Sequence, residues 1–173
     1  INGPVANFTA INPTGCQGLN VTFNDLSTTD GINAITNWRW DFGDGTIQNF
    51  TAAPFQHVYN SIGTYPVNLT VTDASGCTDS LTISALVTTT DPLPDFVSRD
   101  TLTCPGATVV FTNTTVADNF TSLWNFGDGT TSSGASPSHA FTSPGFYNIK
   151  LQVTDRYGCI DSVIKTASIR VDT

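Results

Sequence analysis

Glutamate and methionine are absent from these 173 residues, lysine occurs only twice, and no window shows helical periodicity. Each absence excludes something. The best helix formers are scarce, whereas Thr, Asn and Val abound, so strands and turns dominate the expectation. Six Lys and Arg stand against 14 acidic residues, all of them Asp, for a net charge of −8. No basic cluster exists to neutralise phosphates, which excludes nucleic acid as a partner and disfavours an anionic membrane surface. No apolar run approaches the ~18–20 residues of a spanning helix, so no membrane insertion is expected. No leader-like stretch opens the chain, as in a mature region or an excised fragment.

What is present is a duplication. Trp40-Asp41-Phe42-Gly43-Asp44-Gly45-Thr46 returns as Trp124-Asn125-Phe126-Gly127-Asp128-Gly129-Thr130, with six of seven positions identical. Trp40 and Phe42 alternate with Asp41, the pattern of a strand with one buried face. Gly43-Asp44-Gly45 then tolerates positive φ and suits a tight turn into the next strand. Beyond this signature, His57-Val58-Tyr59 matches His139-Ala140-Phe141. The run from Gly63 to Asp73 matches that from Gly145 to Asp155. The offset falls from 88 at Cys16 and Cys104 to 84 at the Trp and 82 at the His. Gaps therefore sit only between matched blocks, as when strands keep their length and loops vary. Two domains follow, residues 1–90 and 91–173, each of ordinary size with one modest core.

Trp-Asp-Phe-Gly-Asp-Gly, then His-x-Tyr, then Gly-x-Tyr-x-Val-x-Leu-x-Val resembles the PKD (polycystic kidney disease) family. Asn125 and Phe141 are mild departures in the second copy. The resemblance implies an all-β fold of two tandem immunoglobulin-like sandwiches on an extracellular protein. The Gly-Cys-x-Asp-Ser turn is similar to modules of large bacterial adhesins and gliding filaments.

Four cysteines fall two per repeat at matching positions, Cys16 with Cys77 and Cys104 with Cys159. No Cys-x-x-Cys pair is present to favour zinc. The expectation is one internal disulfide per domain, Cys16–Cys77 and Cys104–Cys159, in an oxidising extracellular compartment.

Along the chain, a short strand is expected near 5–10, then a turn at Asn12-Pro13-Thr14-Gly15. Leu19, Val21 and Phe23 face inward. Residues 25–35 form a polar loop, Thr36 to Phe42 the central strand, and Tyr65 to Val71 the strongest strand. Trp38 shares a face with Trp40 and reads as extra core rather than a sugar-stacking platform. Pro54 suits an edge. Thr88-Thr89-Thr90-Asp91-Pro92-Leu93-Pro94 is a short, semi-rigid junction, which would string the domains end to end.

Catalysis needs activated groups in one pocket. Asp41 and Asp44 offer paired carboxylates, but Asn125 replaces the first in repeat two. Asp44 and Asp128 therefore read as turn-stabilising Asx residues. His57 and His139 lack a Ser-His-Asp or Cys-His setting and read as hydrogen-bonded structural histidines. The chain is not expected to be an enzyme.

A structural stalk or filament segment is the favoured reading, with neighbouring repeats as partners. The alternative is a polysaccharide- or protein-binding accessory module of a secreted hydrolase. Calcium is the one cofactor admitted, with Asp25, Asp41, Asp73, Asn125 and Asp155 as candidate ligands. Asn7, Asn20, Asn49, Asn68, Asn113 and Asn119 head Asn-x-Thr triplets. Ser80, Thr101 and Ser162 resemble a bacterial Asp-Ser/Thr O-glycosylation signal.

Overall fold

The computed structural model describes residues 3–172, which form strands and no helix. The chain divides into two compact units, Ile1–Thr90 and Asp91–Thr173.

Unit one contains β1 (Phe8–Ile11), β2 (Thr14–Cys16), β3 (Leu19–Asp25), β4 (Ile35–Asp41), β5 (Ile47–Phe50), β6 (Phe55–Tyr59), β7 (Gly63–Asp73) and β8 (Thr78–Thr90). One sheet has the order β1-β3-β6 and the other β2-β8-β7-β4-β5. Unit two repeats the plan with β9 (Phe96–Ser98), β10 (Leu102–Thr103), β11 (Thr108–Asn113), β12 (Thr121–Asn125), β13 (Thr131–Ser132), β14 (Ser138–Ala140), β15 (Gly145–Thr154) and β16 (Ile160–Val171). Its sheets run β14-β11-β9 and β10-β16-β15-β12-β13. Each unit is an immunoglobulin-like β-sandwich.

Period-two patterning explains the layers. Val67, Leu69 and Val71 on β7 are fully buried, and residues 68, 70 and 72 between them are half-buried on the other face. Ile149, Leu151 and Val153 do the same on β15. Trp40 sits at the centre of unit one, with Phe8 edge-on at 4.9 Å and Phe23 tilted at 5.1 Å. Trp124 repeats this with Phe96 at 5.2 Å and Phe111 at 5.7 Å. Burying each such ring stabilises the fold by about 1.5–3 kcal/mol. Trp38 is half-buried and packs on this core, 5.7 Å from the Phe55 ring.

The stretch at Asn12–Gly15 is more than a turn. Asn12 adopts φ 49 and the chain crosses from β1 in one sheet to β2 in the other. β2 pairs in parallel with the end of β8, Thr14 opposite Thr88 and Cys16 opposite Thr90. The threonines read as junction are thus the last residues of β8. β10 pairs with the end of β16 in the same way, Thr103 opposite Val171.

This placement overturns the expected disulfides. Cys16 lies beside the C-terminal end of β8, whereas Cys77 sits in the turn just before its first residue, Thr78. Thirteen residues of strand separate the two ends, on the order of 35–40 Å at 3.3 Å per residue. A disulfide needs Cα atoms within about 7 Å. Cys104 and Cys159 likewise bracket opposite ends of β16. Neither Cys16–Cys77 nor Cys104–Cys159 forms. Cys16 and Cys159 are disulfide-bonded, and Cys77 and Cys104 are free thiols.

Candidate functional site

The site built from the duplicated signature is a turn clamped by a histidine. β4 ends at Asp41, whose Oδ1 accepts the Gly43 N–H at 3.0 Å. Asp44 Oδ1 accepts the Thr46 N–H at 2.9 Å, and the Phe42 N–H reaches the Thr46 carbonyl at 3.1 Å. Two consecutive Asx turns result. Gly43 and Gly45 adopt φ 78 and 92, in the region that favours glycine. Gly43 is doubly constrained, because a Cβ there would run into the Pro66 carbonyl oxygen.

β6 supplies the clamp. His57 Nε2 lies 2.7 Å from Asp44 Oδ2, so the ring nitrogen donates to the acceptor-only carboxylate. The imidazole stacks on Phe42 at 4.2 Å and meets Tyr59 edge-on at 4.7 Å. Tyr59 packs on Tyr65, whose hydroxyl donates to the Ser61 carbonyl at 2.7 Å. Repeat two rebuilds each part. Asn125 accepts the Gly127 N–H at 2.9 Å, Asp128 accepts the Thr130 N–H at 3.0 Å, and His139 Nε2 lies 2.6 Å from Asp128 Oδ2. His139 stacks on Phe126 at 4.2 Å, and Tyr147 donates to the Ser143 carbonyl at 2.8 Å.

Both clamp carboxylates titrate below the ordinary aspartate range. Burial pushes Asp44 up, but hydrogen bonds from His57 and Thr46 outweigh it. At Asp128 burial is likewise outweighed by the Thr130 hydroxyl and His139. Burial raises the Tyr59 phenol well above its usual value.

The arrangement holds a turn and lacks the geometry of a proton relay. In a Ser-His-Asp relay the acid and the hydroxyl engage opposite ring nitrogens. Here Asp128 and the Thr130 hydroxyl, 3.3 Å away, both address Nε2 of His139. The shallow cleft beside His57, about 290 Å³ and lined by Asp44, Ser61 and Tyr65, presents no nucleophile hydrogen-bonded to the imidazole among the described residues.

The five candidate calcium ligands are scattered. Asp25 accepts from Trp38 Nε1 at 2.7 Å and from the Ser27 N–H at 2.9 Å. Asp41 and Asn125 close the signature turns described above. Asp73 is buried in the β7–β8 turn, where it accepts from Ser75 N–H, Ser75 Oγ and Cys77 N–H. The Ser75 hydroxyl, first among these donors, holds its carboxyl below the usual range. Asp155 takes the Tyr157 and Cys159 N–H groups in the matching turn. Among the described residues, no group of three His, Cys, Asp or Glu could hold a metal.

The glycosylation candidates divide by exposure. Asn7, Asn20, Asn49, Asn119, Ser80, Thr101 and Ser162 are exposed. Asn68 and Asn113 are half-buried, and their amides donate to Thr82 and Ser122.

The PKD domain family model matches residues 2–89 and again 89–171. The chain belongs to the PKD family. A microbial collagenase of Vibrio alginolyticus is 37% identical over 76 residues, covering 44% of this chain and 9% of the collagenase. The pre-pro-metalloprotease PrtV of Vibrio cholerae is 28% identical over 149 residues, 85% of this chain and 16% of the protease. The solved PKD1 domain of Vibrio anguillarum Epp is 32% identical and covers 51% of this chain and 96% of its own, with a TM-score of 0.42. The PKD pair thus spans between 9% and 16% of those two curated relatives. It is a non-catalytic module.

Sequence reasoning read His57 and His139 as structural but missed their carboxylate partners. The signal was present, since Asp44 and His57 recur together as Asp128 and His139 with the spacing shortened by two residues.

Proposed function

We propose that this PKD pair is an extracellular, load-bearing spacer, a stalk or filament segment of a larger cell-surface protein. The observation that carries the reading is the parallel pairing of β2 with β8 and of β10 with β16. Tension enters a domain at its N-terminal side and leaves through its last strand. Parallel strands pulled from opposite ends are sheared, so their bonds are loaded together instead of being unzipped singly. In unit one those bonds include Thr88 N–H to Pro13 O and Gln17 N–H to Thr90 O. In unit two they include Arg170 N–H to Thr101 O and Asp172 N–H to Thr103 O. Disulfide-bonded Cys16 and Cys159 support an oxidising, extracellular location. No cofactor is required.

The relatives' names favour a second reading, an accessory module of a secreted protease. Such a module needs exposed recognition groups, yet both signature tryptophans are fully buried. Phe146, 68% exposed and 5.7 Å from the Arg170 guanidinium, is the strongest aromatic candidate for contact. Retention of the chain on insoluble polysaccharides and fibrillar collagen separates the two. The spacer reading expects no specific retention. Retention abolished by Phe146→Ala would replace it with the accessory reading.

A further inference from the structure

Each repeat carries one cysteine at each pole, and the two poles differ in kind. The first kind is a strand-end cysteine at the parallel pair, Cys16 at the end of β2 and Cys104 just after β10. The second is a turn cysteine, Cys77 between β7 and β8 and Cys159 between β15 and β16. The turn cysteine is held firmly. Its N–H donates to Asp73 or Asp155 at 2.9 Å, and its carbonyl accepts the N–H of the same Asp at 3.0 Å.

One member of each kind is already oxidised. The strand-end Cys16 and the turn Cys159 are disulfide-bonded, while their counterparts Cys104 and Cys77 are free. Both environments are therefore competent for a bridge. The length of β8 and β16 forbids closing one inside a repeat. We propose that Cys77 and Cys104 are complementary halves of a head-to-tail linkage, in which Cys104 of one chain bonds Cys77 of a second copy. Cys104 is exposed, and Cys77 is half-buried, its sulfur accepting a hydrogen bond from the Ser75 hydroxyl at 3.5 Å. The proposal is independent of whether the module bears load.

The chemistry balances with a low-molecular-weight disulfide such as oxidised glutathione as oxidant. The thiolate of Cys104 attacks it and releases one glutathione thiolate, leaving a mixed disulfide. Cys77 of a second copy, as thiolate, attacks the Cys104 sulfur and displaces the second glutathione. Two protein thiols are oxidised, one glutathione disulfide is reduced to two thiols, and two protons pass from protein to glutathione.

The test oxidises the 173-residue chain with oxidised glutathione at high protein concentration, followed by non-reducing electrophoresis and peptide mapping. The expected result is a ladder of oligomers joined by Cys77–Cys104. Cys77→Ser and Cys104→Ser, each checked for an unchanged melting temperature, should remain monomeric alone. Mixed together they should give dimers and nothing larger. Cys104–Cys104 dimers of the Cys77→Ser variant at the wild-type rate would overturn the pairing. So would a wild-type chain that yields only glutathione adducts.

Discussion

The two repeats share a backbone plan but satisfy their polar groups differently. In repeat one, Trp38 donates to Asp25; in repeat two the matching pair is Ser122 and Asn113, with the Asn amide donating to Ser Oγ at 2.9 Å. Tyr59 donates to the Phe42 carbonyl at 3.1 Å, a bond that Phe141 cannot make. Trp124 Nε1 reaches the Gly134 carbonyl at 2.9 Å, whereas the buried Trp40 Nε1 has no partner among the described residues. Pro66 occupies the irregularity between β7 and β8, where it removes no ladder bond. Asn148 stands at the same place in β15 and accepts the Ala167 N–H at 2.7 Å. Opposite both, Ala85 and Ala167 hold positive φ of 51 and 46. The difference teaches that the signature turn, its histidine and the ring stack are one unit of construction. The surrounding partners are exchangeable in matched sets.

The largest expected effect comes from closing that turn to glycine's special geometry. Gly43→Ala should destabilise unit one by about 3–5 kcal/mol, from positive φ and collision with the Pro66 carbonyl. Gly127→Ala should cost less, because its nearest backbone oxygen, that of Asn148, lies 2.6 Å from the added Cβ. Thermal unfolding that follows each unit checks the order.

Tryptophan sharpens the comparison next. Trp→Phe removes a similar volume from both cores, yet Trp40 loses an unpaired N–H and Trp124 a paired one. Trp124→Phe should therefore be costlier than Trp40→Phe by about 1–2 kcal/mol. Equal costs in denaturant titration would show that the two N–H groups are equally satisfied. Tyr59→Phe makes repeat one imitate repeat two and should cost about 1 kcal/mol. Phe141→Tyr should recover part of that in the other unit.

The smallest effect is pH-dependent. Asp44 and Asp128 have folded pKa values below their unfolded ones, so their stabilisation is complete above about pH 4 and is lost as pH falls through the lower folded values. Asp44→Asn should be less stable than the wild type at neutral pH, and the gap should shrink on acidification. A gap that stays constant down to pH 2 would contradict the sign.

Much of this was legible because duplication reveals itself by identity. The Trp-Asp-Phe-Gly-Asp-Gly strand and turn, the inward faces of β3 and β7 and the division into two repeats all follow from period-two patterning and matched blocks. The parallel strands β2 and β10 were not legible. Thr14-Gly15-Cys16 carries no strand pattern of its own and is fixed only by the edge of β8 that it completes. The cysteine error had the same origin. Pairing by repeat assumed that two cysteines of one domain meet, and only the length of β8 shows that they stand at opposite ends. Asp25 and Asp73 resembled cation ligands because their real partners, the indole of Trp38 and the N–H of Cys77, are invisible in a list of carboxylates.

Single-molecule stretching of the chain from its two ends, under a reductant, tests the spacer account most directly. Thr88→Pro removes the N–H that bonds Pro13, and Arg170→Pro removes the N–H that bonds Thr101. Two unfolding peaks are predicted for the wild type. Thr88→Pro should lower one peak and Arg170→Pro the other, each leaving its neighbour unchanged. Peaks whose forces are untouched by either substitution would mean that the parallel strands carry no load.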